Sequence, residues 1–261
     1  MRIALLTDDS EQSAYLAAQV AAHFDVGLWV IEHLDRRTRL RTMLRRRKSI
    51  GWSGVLGILL MRVYSRLFET HPRVLPPFEQ PRIQPLTVPS INDPRVPAAV
   101  REQRCDVCVV LGTTIIRKTV LVQLPKWTLN LHGGLTPWYR GSNCCVWAVI
   151  NGEPHRAGIT WHWVDAGVDT GAVLRQVQLP LQQDDTRQSI FHRQVLIGCP
   201  ILLEILADLA VGIEPTAKTL PPHSDGRLYF TPPLWTYLRF KRRIRTAAGP
   251  NAAPISPPVG Q

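Results

Sequence analysis

The sequence lacks the ligand spacing of a metal protein. Its five cysteines stand at 105, 108, 144, 145 and 199. Cys105 and Cys108 form one CxxC, but it lies inside the strand-like run CDVCVVLG, and no second CxxC or HxxxH supports it. Side chains at that spacing on a strand do not converge on one ion, so all five are expected to be small apolar fillers or free thiols, with no metal. No run of eighteen apolar residues occurs, so no membrane-spanning helix is expected. The start, MRIALLTDDS, turns acidic too soon for a signal peptide and reads as a first buried strand. The expected location is therefore cytoplasmic. Acids are scarce: 20 Asp and Glu face 31 Lys and Arg, a net charge of +11. Such a balance attracts polyanions, whether nucleic acid, phosphates or an anionic membrane surface.

What is present alternates between short apolar runs and helical patterns. Residues 1–6 form a first strand, 11–24 a helix capped by Ser10 or Asp9, and 27–32 a second strand. Residues 97–103 predict a helix with proline in its first turn. The near-continuous apolar run 105–111 suits a parallel strand covered on both faces. A short helical link over 117–124 leads into a strand at 127–131, and further strands are predicted at 158–164 and 172–179. A long helix follows over 186–210, capped by Asp184 or Asp185 and kinked or divided at Pro200. This alternation implies an α/β fold, a doubly wound and mostly parallel sheet in one domain spanning 1–245. Eight prolines between 71 and 97 mark a connector that wraps the surface. Residues 221–233 read as a Pro/Gly-rich loop, and 246–261 as a disordered tail.

The chemistry concentrates in 127–171. Asn130 and His132 are two apart, so a strand points both to one face. A Gly/Pro-rich turn follows at Gly133, Gly134, Pro137 and Gly141. Polar groups at the carboxyl end of a strand, opening into such a loop, stand where α/β proteins place ligands. The strand at 158–164 runs into a second compact loop with acids at 165 and 169 and glycines at 167 and 171. Asp169 is placed to reach back to His132 and set its tautomer and charge. A histidine with a carboxylate partner and a neighbouring amide makes a proton-transfer and oxyanion-stabilising site without a metal.

The joint pattern resembles the folate-dependent formyltransferase family. Its members share an Asn-x-His strand end, a Ser-Leu-Leu-Pro-x-Tyr-Arg-Gly loop, a Trp-Ala pair, then Gly-x-Thr-x-His and Asp-x-Gly. The matching residues are Asn130, His132, Leu135, Pro137, Tyr139, Arg140, Gly141, Trp147, Ala148, Gly158, Thr160, His162, Asp169 and Gly171. Gly134 departs from the pattern, standing where many members carry serine. The resemblance covers about residues 90 to 200 and implies a Rossmann-like formyltransferase fold. It makes Asn130, His132 and Asp169 the catalytic trio and N10-formyltetrahydrofolate the cosubstrate. It further implies that Thr113, Thr114, Ile115, Asp165 and Gly167 line the folate pocket, and that Pro137, Tyr139, Arg140 and Gly141 form the substrate loop.

In the implied reaction an unprotonated amine attacks the formyl carbon. Asn130 and His132 stabilise the oxyanion, Asp169 takes the amine proton, and His132 protonates N10. The expected acceptor is a primary amine on a nucleotide-linked sugar, used in surface polysaccharide synthesis. Members that act on phosphorylated ribose carry a glycine loop after the first strand; here Asp8, Asp9 and Ser10 stand there. Members that act on methionyl-tRNA carry a further β-barrel, which the Pro-rich carboxyl-terminal residues do not suit. A methionyl-tRNA enzyme with a reduced tRNA site is the alternative, and a catalytically silent binding homologue a third. A homodimer is left open.

Residues 36–68 are the least family-like part. Eight Lys or Arg and no acid lie between Arg36 and Lys48, followed by an apolar stretch with glycines at 51, 54 and 57. The expectation is an inserted helical pair. Its basic face suits solvent, an anionic membrane surface that would place the enzyme at the inner face of the membrane, or nucleic acid. A basic amphipathic segment at 234–245 is its counterpart.

Overall fold

In chain order the elements are β1 (Ile3–Asp8), α1 (Glu11–Ala21), β2 (Val26–Glu32), α2 (Arg36–Phe68), β3 (Leu86–Val88), α3 (Arg95–Glu102), β4 (Val107–Leu111), α4 (Lys118–Leu121), β5 (Trp127–His132), β6 (Arg140–Gly141), α5 (Cys144–Ile150), a 3-10 turn (Pro154–Arg156), β7 (Gly158–Trp163), β8 (Val173–Gln178), α6 (Arg187–Ala210), β9 (Leu228–Tyr229) and α7 (Leu234–Ala247). The computed structural model describes residues 1–69, 74–223 and 227–247. Seven strands make one sheet in the order β3-β2-β1-β4-β5-β7-β8. The first five run parallel, and β7 and β8 are antiparallel to their neighbours.

The period-2 alternation of β1 shows why both faces are covered. Ile3 and Leu5 join Leu16 and Val20 of α1 and Leu202 and Ile205 of α6 in one core. Ala4 and Leu6 join Val96 and Val100 of α3 and Val120 of α4 in another. The sheet is thus doubly wound, as the apolar strands require. Ser10 caps α1, accepting from the Ser13 N–H. At α6 the cap is Thr186, in a reciprocal capping box with Ser189, rather than Asp184 or Asp185. Asp185 is buried instead, accepting from Ser189 Oγ at 2.7 Å and from Arg193.

Pro200 does not divide α6. The helix is pinned on both sides of it. Gly198 rests on Leu131 and its carbonyl accepts the Trp161 indole N–H at 3.0 Å, while Leu202 is fully buried. This packing offsets the lost backbone hydrogen bond. By length and hydropathy α6 could cross a bilayer, but half of its apolar window is buried against the sheet, as in a core helix.

Two segments read as loops take part in pairing. The Pro-rich stretch contains β3, an edge strand on β2, and it buries Leu75, Val88 and Ile91. Proline is tolerated there because an edge strand is paired on one side only. It is therefore more than a surface wrap; residues 71–73 of it lie outside the described residues. The stretch read as a loop over 221–233 contains β9, which pairs with β6. The tail beyond Ala247 also lies outside the described residues.

The 36–68 segment is helical with one break, at Gly51 (φ 69°, ψ 175°), a left-handed φ that glycine tolerates. Its second half is tied to the body by a third core. There Met61 joins Tyr139, Val146 and Val149 with Tyr237 and Phe240 of α7. The Tyr237 hydroxyl donates to Glu69, just past α2, at 2.7 Å.

Candidate active site

The site forms where β1, β4 and β5 end together, beside the point at which strand order reverses around β1. Register sets its side chains: Asn130 of β5 lies opposite His162 of β7, and His132 opposite Thr160. Such cross-strand partners share a face. The loop after β7 then returns Asp169 to them in a left-handed conformation (φ 51°). Asn130, His132 and Asp169 are therefore brought into one cluster.

The hydrogen bonds specify orientations. His162 Nδ1 lies 2.8 Å from the Trp163 carbonyl, so it carries the proton and leaves Nε2 to accept from the Asn130 amide at 3.1 Å. One Asn130 N–H is thereby fixed and the other is directed elsewhere. His132 Nε2 donates to the Tyr139 carbonyl at 2.8 Å, and Nδ1 faces Asp169 at 3.3 Å. Asp169 also accepts the Gly141 N–H at 2.8 Å and lies 3.6 Å from His162 Nε2.

Burial opposes ionisation of Asp169. The pull of His132, His162 and the Gly141 N–H outweighs it and holds the carboxyl at about 2. For His132 burial prevails: it pushes the imidazole below its ordinary value against the pull of Asp169. At neutral pH a neutral imidazole thus faces an ionised carboxylate, with room between them for one proton.

The other expected residues have distinct placements. Pro137 and Arg140 line a cleft of about 140 Å³ with Asp169, Gly171 and Leu220. The Tyr139 ring is turned away into the core. It stacks on Tyr229 at 5.0 Å, its hydroxyl donates to Glu153, and only its carbonyl serves the cluster. Gly141 has φ +97°, and a Cβ there would come 2.3 Å from the Tyr229 carbonyl oxygen, so the β6–β9 pairing requires glycine. Gly134 is similarly constrained: a Cβ would lie 2.7 Å from His132 Nε2. The nearest neighbour is Cys144, whose Cβ a side chain at 134 would meet at 2.5 Å.

Thr113, Thr114 and Ile115 lie just past β4. The buried Glu32 carboxylate fixes this loop by accepting the Thr114 N–H at 2.6 Å and its hydroxyl at 2.7 Å. Ile115 is 64% exposed. Asp165 accepts from the Gly167 N–H and the Thr170 hydroxyl, so its carboxylate shapes the loop that delivers Asp169. Burial pushes the Cys105 thiol up to about 11 and those of Cys145 and Cys199 up to about 12. Among the described residues no three potential ligands gather as a metal site.

Sequence reasoning did not select His162 or Thr160 as working parts. Thr160 Oγ donates to the Gly134 carbonyl at 2.6 Å and accepts the Thr136 N–H at 3.2 Å, holding the turn after β5. The period-2 spacing of Thr160 and His162 was the available signal, but it reads equally as an ordinary strand face.

Known proteins share this arrangement of chain. A methionyl-tRNA formyltransferase of Synechococcus sp. (strain JA-3-3Ab) is 34% identical over 142 residues, 54% of this chain and 42% of that one. A GDP-perosamine N-formyltransferase of Brucella melitensis is 40% identical over 87 residues, a third of each chain (33%). The chain thus spans less than half the length of these curated relatives. The solved formyltransferase PseJ of Anoxybacillus kamchatkensis is in complex with UDP-4,6-dideoxy-4-formamido-L-AltNAc and tetrahydrofolate. It shares the fold at 15% identity and a TM-score of 0.50, over 92% of this chain and 100% of that one. The formyl transferase family model matches residues 57–204, more than half of the sequence and all of β4 through β8. On that match, the chain belongs to the formyl transferase family.

Proposed function

We propose that this chain moves a formyl group from N10-formyltetrahydrofolate to the primary amine of a nucleotide-linked amino sugar. The observation that carries the reading is the oriented cluster of Asn130, His132, His162 and Asp169 beside an open cleft. The folate would supply an activated formyl carbon, and Ile115, exposed just past β4, offers it apolar surface. The Asn130 N–H that His162 does not engage donates to the oxyanion formed when the amine adds; such donors contribute about 2.7–4 kcal/mol in other enzymes. The proton lost by the amine lodges between Asp169 and His132 Nδ1. It passes from there to N10 as the carbon–nitrogen bond breaks, leaving a formamide and tetrahydrofolate. His132 acts in this scheme through Nδ1, since Nε2–H is held by Tyr139.

Two features favour the sugar acceptor. The 40% identity to the GDP-perosamine enzyme and the fold shared with PseJ both come from proteins named for, or holding, nucleotide-linked sugars. At the amino end of α1, the Asp8 carboxylate accepts from the hydroxyls of Ser10 and Ser13. That carboxylate repels a phosphate at this helix start. Arg140, in the cleft, supplies charge for the diphosphate. Methionyl-tRNA is the second reading, supported by the longer Synechococcus match and the +11 charge.

The test is incubation with N10-formyltetrahydrofolate and a panel of nucleotide-linked amino sugars beside methionyl-tRNA, read by mass spectrometry. A formylated sugar is expected. Asn130→Ala and Asp169→Asn should each lower its formation at least about a hundredfold with the fold intact. Formyl-methionyl-tRNA as the sole product selects the second reading, and no formylated product from any acceptor overturns both.

A further inference from the structure

Along 52–68 the side chains of Trp52, Leu56, Leu59, Leu60, Val63 and Leu67 are each 40% exposed or more. Their spacing puts them on one stripe of α2, while Gly54, Ile58 and Met61 on the other side are buried. The neighbouring α7 adds exposed Trp235 and Leu238. Gly57 lets the two helices meet, since a Cβ there would come 2.4 Å from the Trp235 ring. A contiguous apolar surface of this kind marks an interaction site.

Charge identifies the occupant. Together α2 and α7 carry 15 of the 31 Lys and Arg and none of the 20 acids. Arg62 and Arg66 flank the stripe by spacing, and Arg47 lies over the Trp52 ring at 5.1 Å across the Gly51 break. A second copy of this face would bring like charges together. Nucleic acid would use the cations and leave the aliphatic stripe in water. A surface with anionic headgroups above an apolar layer takes both. We propose that the α2–α7 face docks on an anionic lipid bilayer, with the stripe entering the headgroup–acyl boundary and Arg47, Arg62 and Arg66 on lipid phosphates. This docking goes beyond the transfer reaction and does not depend on its substrate.

Flotation of the full chain with vesicles of equal parts phosphatidylglycerol and phosphatidylcholine tests it. Binding is expected at low salt, with release at high salt and none to pure phosphatidylcholine. Leu56→Glu/Leu60→Glu/Val63→Glu should lose at least about tenfold in vesicle affinity with an unchanged melting curve. Arg62→Gln/Arg66→Gln should lose about tenfold. If the triple variant does not fold, Leu67→Ser/Phe68→Ser serves in its place. Wild-type protein that stays unbound with anionic vesicles at low salt overturns the proposal. So does binding that ignores the apolar changes and is matched on polyuridylate, which would assign the cations to nucleic acid. A dimer in sedimentation equilibrium that the apolar changes dissociate would make the face a self-interface instead.

Discussion

At the end of β5, His132 and His162 have side chains only 4% exposed, and each ring nitrogen has a polar partner. Along α2, Leu67 is 68% exposed. One region buries polar groups and the other exposes apolar ones, and each inversion has a cost unless something compensates it. At the site the compensation is internal. Apart from the proton's place between His132 Nδ1 and Asp169, donors and acceptors are matched within the chain, which is how a buried polar cluster becomes a preorganised one. On α2 nothing among the described residues covers the exposed stripe, which is the opening that the proposed docking would use.

Stability measurements separate the two regions most sharply. Trp161, fully buried and bonded to Gly198, should cost about 3–5 kcal/mol when changed to alanine, whereas Leu67→Ala should stay within about 0.5 kcal/mol in the same urea titration. Comparable losses at both positions would mean that α2 is covered within the free protein.

A smaller effect is expected at His162, which orients Asn130 and so acts as a positioning residue. His162→Ala should lower kcat about tenfold and leave KM nearly unchanged, because Asn130, the proposed oxyanion donor, is then free to turn. His162→Gln, whose side-chain oxygen can accept from the amide, should recover part of the loss. A change confined to KM would assign His162 to substrate binding instead.

The smallest effect is electrostatic. The His132 ring should titrate below the ordinary histidine value of about 6.5, followed by NMR of its ring protons. Asp169→Asn removes the group that pulls it upward, so the midpoint should fall further. Both folded groups bind protons less readily than their unfolded counterparts. Stability therefore falls as pH drops through the histidine range, and again as it drops from about 4 towards 2. A midpoint that rises in Asp169→Asn would break the assignment of the pair.

Much of this was readable from the chain, and the misses have a common cause. Asn130 and His132 were legible because period 2 alone puts them on one face. The doubly wound sheet followed from β4, whose five residues are all apolar. The inward turn of the Tyr139 ring was not legible, because its stacking partner, Tyr229, lies 90 positions away. The pairing of β6 with β9 involves two residues on each strand, too few to show a period. In each case the deciding contact is remote in sequence.

One acceptor in the cluster is the main-chain oxygen of Tyr139, which determines which His132 nitrogen carries its proton. Every residue type offers that oxygen, so substitution at 139 cannot delete it. The proton's address is inherited through the path of the chain, and an insertion between 133 and 141 would disturb it more than most replacements there. Replacements at 137 and 140 can therefore redraw the cleft wall while the tautomer beneath stays the same.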